Sequence, residues 1–450
     1  MTEQEYRQLA AEVVERARAR GAEEAECTIS EGDEFSVSVR MREIETLKEA
    51  GSRAAGVRVL VDRRAGSSYT SDLTREGLEH MVDSALELAR LTTEDPFAGL
   101  PEESELGAVA GELGLYSGDV SELSSEAKIR QAREAEEAAF ALDPRIVNSE
   151  GGSFASRLSL HAFANSRGFS GAYRSSSCSL TAVPVAREGE SMERDYWFTA
   201  ARRAADLEAP GEVGRRAAER ALRRLHARKI ETTRVPVIFE ARAARSLLGS
   251  LFDAVNGDAV YRQASFLAGQ LGQRVAAECV TVVDDATMPG LFGSSPFDDE
   301  GVPSRRTVVV DRGVLSSYLL NTYTARKLGL KTTGNAARGL TGNPGVGHGN
   351  LYLERGSKPP AEVLGSVPRA FLVTELMGSG VNIVTGDYSR GAAGLWIEAG
   401  EPAYAVSEVT ISGNLRDMLM GIEAVADDLE FRGSVAAPML LIREMTVSGR

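Results

Sequence analysis

The stretch Val384–Gly394, VTGDYSRGAAG, places three glycines among polar residues in a part of the chain that otherwise resembles strands. Glycine adopts backbone conformations closed to other residues and lets a ligand or a second chain approach closely. Asp387, Tyr388 and Arg390 add an acid, an aromatic ring and a base to this backbone. Such a segment could cradle a phosphate, contribute to an active site, or turn the chain between two strands.

The surrounding sequence does not support a phosphate loop. Gly378 and Gly380 precede the stretch, but Ile383 occupies the position of the third glycine in a GxGxxG fingerprint. No lysine after residue 229 lies in a GxxxxGK[ST] loop. Tight turns between antiparallel strands explain these glycines better.

Regions of different composition surround this segment. Residues 1–225 alternate amphipathic helices with strands, and residues 94–118 mix Pro, Gly and acids without a clear period. Residues 230–450 are rich in glycine and short strands. We therefore predict an α+β protein in which an N-terminal helix/strand domain, with a possible sub-boundary at 94–118, precedes a β-rich C-terminal domain. Within the first domain, the pattern predicts separate strands over 24–30 and 34–41.

Composition restricts the classes of function. The 450 residues carry a formal net charge of −14, which disfavours generic contact with the phosphate backbone of nucleic acids. Three cysteines lie far apart, which fits a reducing compartment. The first twenty residues predict an amphipathic helix rather than a secretion signal, and the apolar stretches are too short to cross a bilayer. We expect a cytoplasmic protein without nucleic-acid or membrane partners.

Few residues qualify for catalysis. The chain has no GxSxG elbow, and none of its four histidines is followed by glutamate. His348, in NPGVGHGN, is the only histidine on a glycine-rich loop and is a weak catalytic candidate; capping of a turn is the alternative. His161 lies on a predicted strand and is expected to be packed. The acids 284–285 and 298–300 are expected in solvated turns, although a hard-cation site built from them stays open.

Three blocks of the last domain, residues 291–339, 372–401 and 406–449, resemble the TldD/PmbA family. This family was historically labelled as modulators of DNA gyrase and is now regarded as a family of metallopeptidases. The second block, which contains the opening stretch, is the most specific, and weaker similarity extends to the N-terminus.

The resemblance implies two branches that pair as a heterodimer. The catalytic branch carries HExxxH on a helix, where two histidines bind zinc, and a late cysteine adds another ligand. Here the matching stretch is ARSLLGSLFDAVNGDAVY, in which Leu248, Gly249 and Asp253 stand at the positions of the first His, the Glu and the second His. Apolar residues recur at helical spacing in this stretch, which predicts a stripe that packs in the core: Leu247, Leu248, Leu251, Phe252 and Val255. Cys279 is the last cysteine. This chain therefore resembles the metal-free TldE/PmbA branch, with no zinc of its own.

The implied function is that of a subunit in a TldD–TldE zinc metalloprotease that degrades unfolded peptides, trims leader peptides and degrades antitoxins. The zinc would lie in a TldD-type partner, and the chain could form a homodimer when that partner is absent. The family's glycine-rich segment belongs to the subunit contact and the enclosed cleft. The corresponding interface or peptide-cleft residues here are Asn382, Gly386, Asp387, Tyr388 and Arg390.

Other interpretations remain open at this point. The glycine-rich segment could be a plain hairpin turn in which Arg390 pairs with Asp387. The whole chain could be a stand-alone hydrolase that uses His348 and nearby carboxylates. It could also be a regulatory protein-binding module, as the older gyrase label suggests.

Overall fold

The computed structural model describes residues 1–449, and its N-terminal part is one sheet covered by helices. The helices of this part are α1 (Glu3–Ala19), α2 (Arg75–Leu91), α3 (Asp119–Glu122), α4 (Ser125–Leu142) and α5 (Pro210–Leu222). The strands are β1 (Glu24–Arg40), β2 (Glu43–Val61), β3 (Arg64–Thr70), β4 (Ile146–Asn165), β5 (Ser170–Glu188), β6 (Ser191–Arg194) and β7 (Trp197–Ala201).

The sheet has the strand order β3-β2-β1-β4-β5-β6, with β7 also paired to β5. β1 is a single 17-residue strand, so the prediction of two strands was wrong. The polar residues in its middle do not interrupt it, because Gly32 is paired with Ser52 on one side and with Ser159 on the other. β1 precedes residues 94–118 in the chain and β4 follows them. Because β1 and β4 pair, both sides of this candidate sub-boundary belong to one sheet. The division into domains stays a prediction.

Alternation along β1 assigns its two faces. Cys27 and Ile29 belong to a core with α1 and α2, and Val37 and Val39 belong to a second core with α4 and α5 on the same face. The opposite face is buried near Glu26 by the C-terminal part of the chain. The N-terminal sheet therefore carries helices on one side and part of the C-terminal region on the other.

The C-terminal part combines three sheets with short helices. Its helices are α6 (Ala241–Val255), α7 (Gly257–Tyr261), α8 (Thr322–Leu328), α9 (Pro360–Gly365) and α10 (Leu415–Met420). Its strands are β8 (Thr233–Phe239), β9 (Val282–Asp285), β10 (Arg306–Asp311), β11 (Val314–Leu315), β12 (Ala336–Ala337), β13 (Gly345–Val346), β14 (Leu351–Leu353), β15 (Arg369–Met377), β16 (Asp387–Glu398), β17 (Glu401–Asn414), β18 (Ile422–Val425), β19 (Val435–Ala436) and β20 (Leu440–Ser448).

The largest C-terminal sheet closes on itself. Its order is β17-β16-β15-β8-β20-β18, and β17 pairs with β20 as well, so five strands form a ring. Ring closure removes exposed strand edges. The other sheets are β11-β10-β9-β14-β19 and the pair β12-β13. An α+β chain with a β-rich C-terminal region is what the sequence predicted, and the fold class is confirmed.

Two groups of buried charges join the N-terminal and C-terminal parts. In the first, Glu26 accepts a hydrogen bond from Arg58 at 2.9 Å and another from Arg338, and all three side chains are buried. In the second, Arg220 of α5 forms two hydrogen bonds, at 3.1 and 2.9 Å, with Glu240, which precedes α6. These pairs fix the position of α6 and of the loop that follows Arg338.

No helix within residues 1–449 is long and apolar enough to span a membrane.

Candidate functional site

Helix α6 is the element at which the predicted metal-binding positions lie. Its buried residues recur at helical spacing, and Leu247, Leu248 and Leu251 pack into the main C-terminal core. The apolar stripe predicted from the sequence is therefore confirmed. Because this stripe faces the core, the remaining residues of α6 lie at its sides or face away from the core.

The three residues that the resemblance places at the HExxxH positions have different environments. Leu248 is only 6% exposed and belongs to the core. A Cβ atom added to Gly249 would meet no other atom within 4 Å, so this position faces open space. Asp253 is exposed. Leu248 thus packs in the core, Gly249 has no side chain, and only Asp253 offers an oxygen that could bind a metal.

His348 lies beside α6, although it is distant from the helix in sequence. Its ring packs edge-to-face against Phe252, with centroids 4.8 Å apart. Its Nδ1 atom lies 2.8 Å from the carbonyl oxygen of Gly349, and Asn256 at the end of α6 donates a 3.2 Å hydrogen bond to the carbonyl of Val346. These contacts hold the histidine loop against the helix and bring His348 near Asp253.

His348 also lies near a second acid. Burial raises the pKa of Asp284. This rise is opposed by the amide of Asn335, which donates to the carboxylate at 2.7 Å, and by the neighbouring His348. Within residues 1–449, however, no carboxylate oxygen comes within 4.0 Å of the ring nitrogens of His348, and no hydroxyl or thiol is hydrogen-bonded to them. A general base needs a nucleophile within hydrogen-bond reach. The structure brings His348 and these carboxylates together without forming a catalytic dyad.

The side chains around α6 do not fit zinc. A catalytic zinc site takes three protein ligands from His, Cys, Asp and Glu, and a structural site takes four. In the described part of the chain, no group of three or more such residues is arranged to hold a metal ion. The buried methyl groups of Leu248, which the resemblance aligns with the first histidine, cannot coordinate a cation.

The glycine-rich segment begins in the turn between β15 and β16 and continues along β16. The side-chain oxygen of Asn382 accepts the N–H of Val384 at 2.9 Å, and its backbone N–H donates to the carbonyl of Asp387, also at 2.9 Å. Gly386 has a φ of 85° and donates its N–H to the carbonyl of Asn382 at 2.8 Å. The backbone donors and acceptors of this turn are mostly used internally, so they are not arranged as a nest for phosphate.

Asp387 and Arg390 lie on opposite sides of β16, so the alternative in which they pair is wrong. The Asp387 carboxylate accepts from the hydroxyl of Thr385 at 2.7 Å and from the amide of Asn414 at 3.4 Å. Arg390 shares the inner side of the strand with Tyr388, which is 1% exposed. Burial raises the pKa of Tyr388 to about 12, and the nearby Arg390 limits the rise.

The five residues of this segment therefore divide into two groups. Asn382 and Asp387 are exposed, whereas Tyr388 and Gly386 are buried and Arg390 is half-buried. Only the exposed residues offer side chains to a partner or a peptide in this structure. The assignment of the set to an interface or a peptide cleft stays a prediction.

Four of the five acids that were expected in solvated turns are buried and the fifth, Asp299, is half-buried, so that expectation was wrong. Asp284, Asp285, Asp298 and Glu300 are 2%, 7%, 7% and 3% exposed. The carboxylate of Asp298 accepts backbone N–H groups from Glu300, Val302 and Ala336 at 2.9, 2.9 and 3.0 Å. Loop backbone donors without a strand or helix partner need such acceptors when they are buried. His161 is packed as predicted, with its ring centroid 5.3 Å from that of Tyr173.

Alanine substitutions at two site glycines should have opposite consequences. Gly386→Ala places a side chain at positive φ and puts its Cβ 2.8 Å from the side-chain oxygen of Asn414. We expect a loss of about 1–3 kcal/mol in the free energy of unfolding. Gly249→Ala meets no atom within 4 Å in the middle of a helix, so it should stabilise by about 0.5–1 kcal/mol. Urea unfolding of both variants measures the difference; equal effects would contradict the assigned backbone geometry.

Comparison with known proteins places this architecture in a class of metallopeptidases. Models of three consecutive domains match the chain: PmbA/TldA metallopeptidase domain 1 over residues 25–89, the central domain over 118–225 and the C-terminal domain over 232–449. The chain belongs to the PmbA/TldD metallopeptidase family.

Relatives along the whole chain support this assignment. The chain is 39% identical over 426 residues to "Metalloprotease PmbA" of Escherichia coli O157:H7, with 95% of this chain and 92% of that protein covered. A Bacteroides thetaiotaomicron protein named as a modulator of DNA gyrase superposes with a TM-score of 0.91 at 28% identity, covering 98% of each chain. TldE of Thermococcus kodakarensis has the same fold, with a TM-score of 0.88 at 22% identity and coverage of 98% and 100%.

Proposed function

We propose that this chain is a non-catalytic subunit of a heterodimeric zinc metalloprotease that cleaves unfolded peptides. The observation that carries the proposal is the composition of α6, where Leu248 is buried in the core and Gly249 has no side chain. Neither residue can hold zinc or activate water, which are the tasks of the corresponding residues in an HExxxH helix. The metal and its chemistry would belong to a TldD-type partner.

In this role the chain shapes the cleft and positions the peptide, and the partner cleaves the bond. Its closed ring of strands holds the turn at residues 377–387 at one end, where Asn382 and Asp387 are exposed. We infer that this end contacts the partner and borders the cleft that admits a peptide. A cleft that contacts mainly the backbone of an extended peptide would accept many sequences, which suits unfolded substrates such as leader peptides and antitoxins.

The fold of the chain supports this role in two ways. Relatives that match nearly its whole length are named metalloproteases, and a solved protein of the same fold is named TldE. In addition, α6 is fixed by buried pairs from the N-terminal part, such as Arg220 with Glu240. Because α6 is held in place by these pairs and carries no set of metal ligands, it fits a structural role in the heterodimer better than a catalytic one.

Reconstitution tests the proposal directly. An unfolded peptide should be cut when the chain is mixed with an HExxxH-bearing relative, and neither protein alone should cut it at a comparable rate. Elemental analysis should find zinc at about one ion per heterodimer and none in this chain purified without chelator. The variant His348→Ala should leave cleavage by the mixture intact.

Two outcomes would reject the subunit role. Chelator-resistant cleavage by this chain alone, lost in His348→Ala, would show a stand-alone hydrolase. Failure to form a complex with any HExxxH-bearing relative, as measured by light scattering, would favour a regulatory binding protein. A homodimer found only in the absence of the relative is compatible with the proposal.

A further inference from the structure

A cleft of about 420 Å³ lies between the N-terminal sheet and the C-terminal part, and none of its lining residues belongs to the exposed turn at residues 377–387. Its walls come from β2, the segment after α2, helices α7 and α8, and the loop at residues 343–345. This volume is within the range of about 300–1,000 Å³ that is usual for small-molecule sites. The role proposed above for the chain does not use this cleft.

Two charges of opposite sign that line the cleft are almost completely buried. Arg58 is 5% exposed and Glu300 is 3% exposed. Arg58 uses one nitrogen for Glu26, at 2.9 Å, and another for the amide oxygen of Asn343, at 3.0 Å. Glu300 accepts the N–H of Thr322 at 2.9 Å at the start of α8. Partners on both parts of the chain thus hold these groups in fixed positions.

The other charged residues that line the cleft also include equal numbers of positive and negative groups. Arg63 and Arg262 carry positive charge, and Asp95 and Asp258 carry negative charge, so the cleft has three groups of each sign. Within residues 1–449, Arg63 and Arg262 form no ion pair, and neither do Asp258 and Glu300. Two charges of each sign therefore have no ion-pair partner in the described part of the chain. A simple anion or cation would be repelled by half of these groups, whereas a ligand with both charges would not.

One wall of the cleft is aromatic. The rings of Tyr261 and Tyr323 meet edge-to-face with centroids 6.0 Å apart. Tyr323 donates its hydroxyl to Asp95 at 2.8 Å, and Arg262 donates to the hydroxyl of Tyr261 at 2.8 Å. Because their hydroxyls are engaged, the rings themselves offer an apolar surface to a ligand side chain.

We propose that this cleft binds a small zwitterion of the amino-acid and short-peptide class. The ligand carboxylate contacts Arg58 and Arg63, its ammonium group contacts Glu300 and Asp258, and an apolar side chain packs against Tyr261. Arginine suits the first contact because its planar fork matches a carboxylate. This site belongs to the chain itself and does not depend on a proteolytic partner.

Calorimetric titration of the full chain alone tests the proposal. We expect saturable binding of the dipeptide Ala-Phe, and at least tenfold weaker binding of the same dipeptide with an N-acetyl group or with a C-terminal amide. Free phenylalanine, as a separate titrant, distinguishes an amino-acid site from a peptide site. The absence of saturable binding by both Ala-Phe and phenylalanine, or equal affinity for the capped and free forms, would overturn the proposal.

Two variants locate the binding. Ala98→Trp fills the cleft from the segment after α2 without removing a charged group, and it should abolish the heat signal. Ala110→Trp, at an exposed alanine of the same segment, is the matched control and should bind normally. If Ala98→Trp fails to fold, Arg63→Gln decides, because Arg63 is exposed and makes no ion pair in the described structure. It should weaken binding at least fivefold; unchanged affinity would reject this site.

Discussion

Replacement of Leu248 by aspartate should lower the free energy of unfolding by about 4 kcal/mol or more. The leucine is 6% exposed and packs with Leu247 and Leu251 in the main C-terminal core. Loss of a buried leucine side chain alone costs about 2–5 kcal/mol. The aspartate adds a carboxylate that no positive group in that core can pair with, which is expensive in an apolar environment. Chemical denaturation of the two proteins measures the loss.

The neighbouring position provides a matched control. Gly249→Asp introduces the same charge one residue along the same helix, on the side that faces open space. It should change stability far less than Leu248→Asp. If Leu248→Asp were as stable as the parent chain, position 248 would face a solvent-filled cleft. The burial of Leu248, which is the main evidence that α6 does not bind zinc, would then be contradicted.

Replacement of Glu26 by leucine should destabilise the chain by about 3–5 kcal/mol. Glu26 is 0% exposed, and its carboxylate pairs with Arg58, whose side chain is 6% exposed, and with Arg338, whose side chain is 1% exposed. Removal of the acid leaves two buried guanidinium groups next to each other without a counter-charge. Breaking a buried ion pair on one side is costly for this reason, even though the intact pair contributes little net stability.

Two further variants separate broken pairing from lost packing. The triple variant Glu26→Leu, Arg58→Met, Arg338→Met removes all three charges and should recover part of the loss. Glu12→Leu removes an acid that is itself exposed to solvent, beside the half-buried Arg16, so the melting temperature of this variant should stay near that of the parent chain. A triple variant that is less stable than Glu26→Leu would show that lost packing and lost arginine contacts, rather than unpaired charge, cause the destabilisation.

Local patterns in the sequence predicted the elements of this fold well. The apolar stripe of α6 and the acids at the start of α1 are properties of neighbouring residues, and they suffice to predict both helices. The break predicted inside β1 was wrong, because hydrogen bonds from β2 and β4 on either side outweigh the local turn signal near Gly32.

The environment of the candidate site was less predictable. Resemblance to the family predicted that positions 248, 249 and 253 replace the metal ligands, and periodicity predicted that Leu248 is buried. Neither indicated that His348 packs on Phe252, because the contact depends on how the loop at residues 345–350 lies against α6. The burial of Asp298 and Glu300 was also missed, since acid-rich stretches beside glycine usually lie in solvated turns.

By itself, the sequence determined the family and the fold class, because these depend on residue identity and on spacing within short segments. Only the tertiary structure decided which charges are buried together and where clefts form. Glu26 meets Arg338, and Arg58 meets Asn343, across the junction of the two parts of the chain. No local pattern relates such distant residues; their pairing follows from the packing of β1 and β2 against a C-terminal loop, and burial then makes each contact energetically decisive.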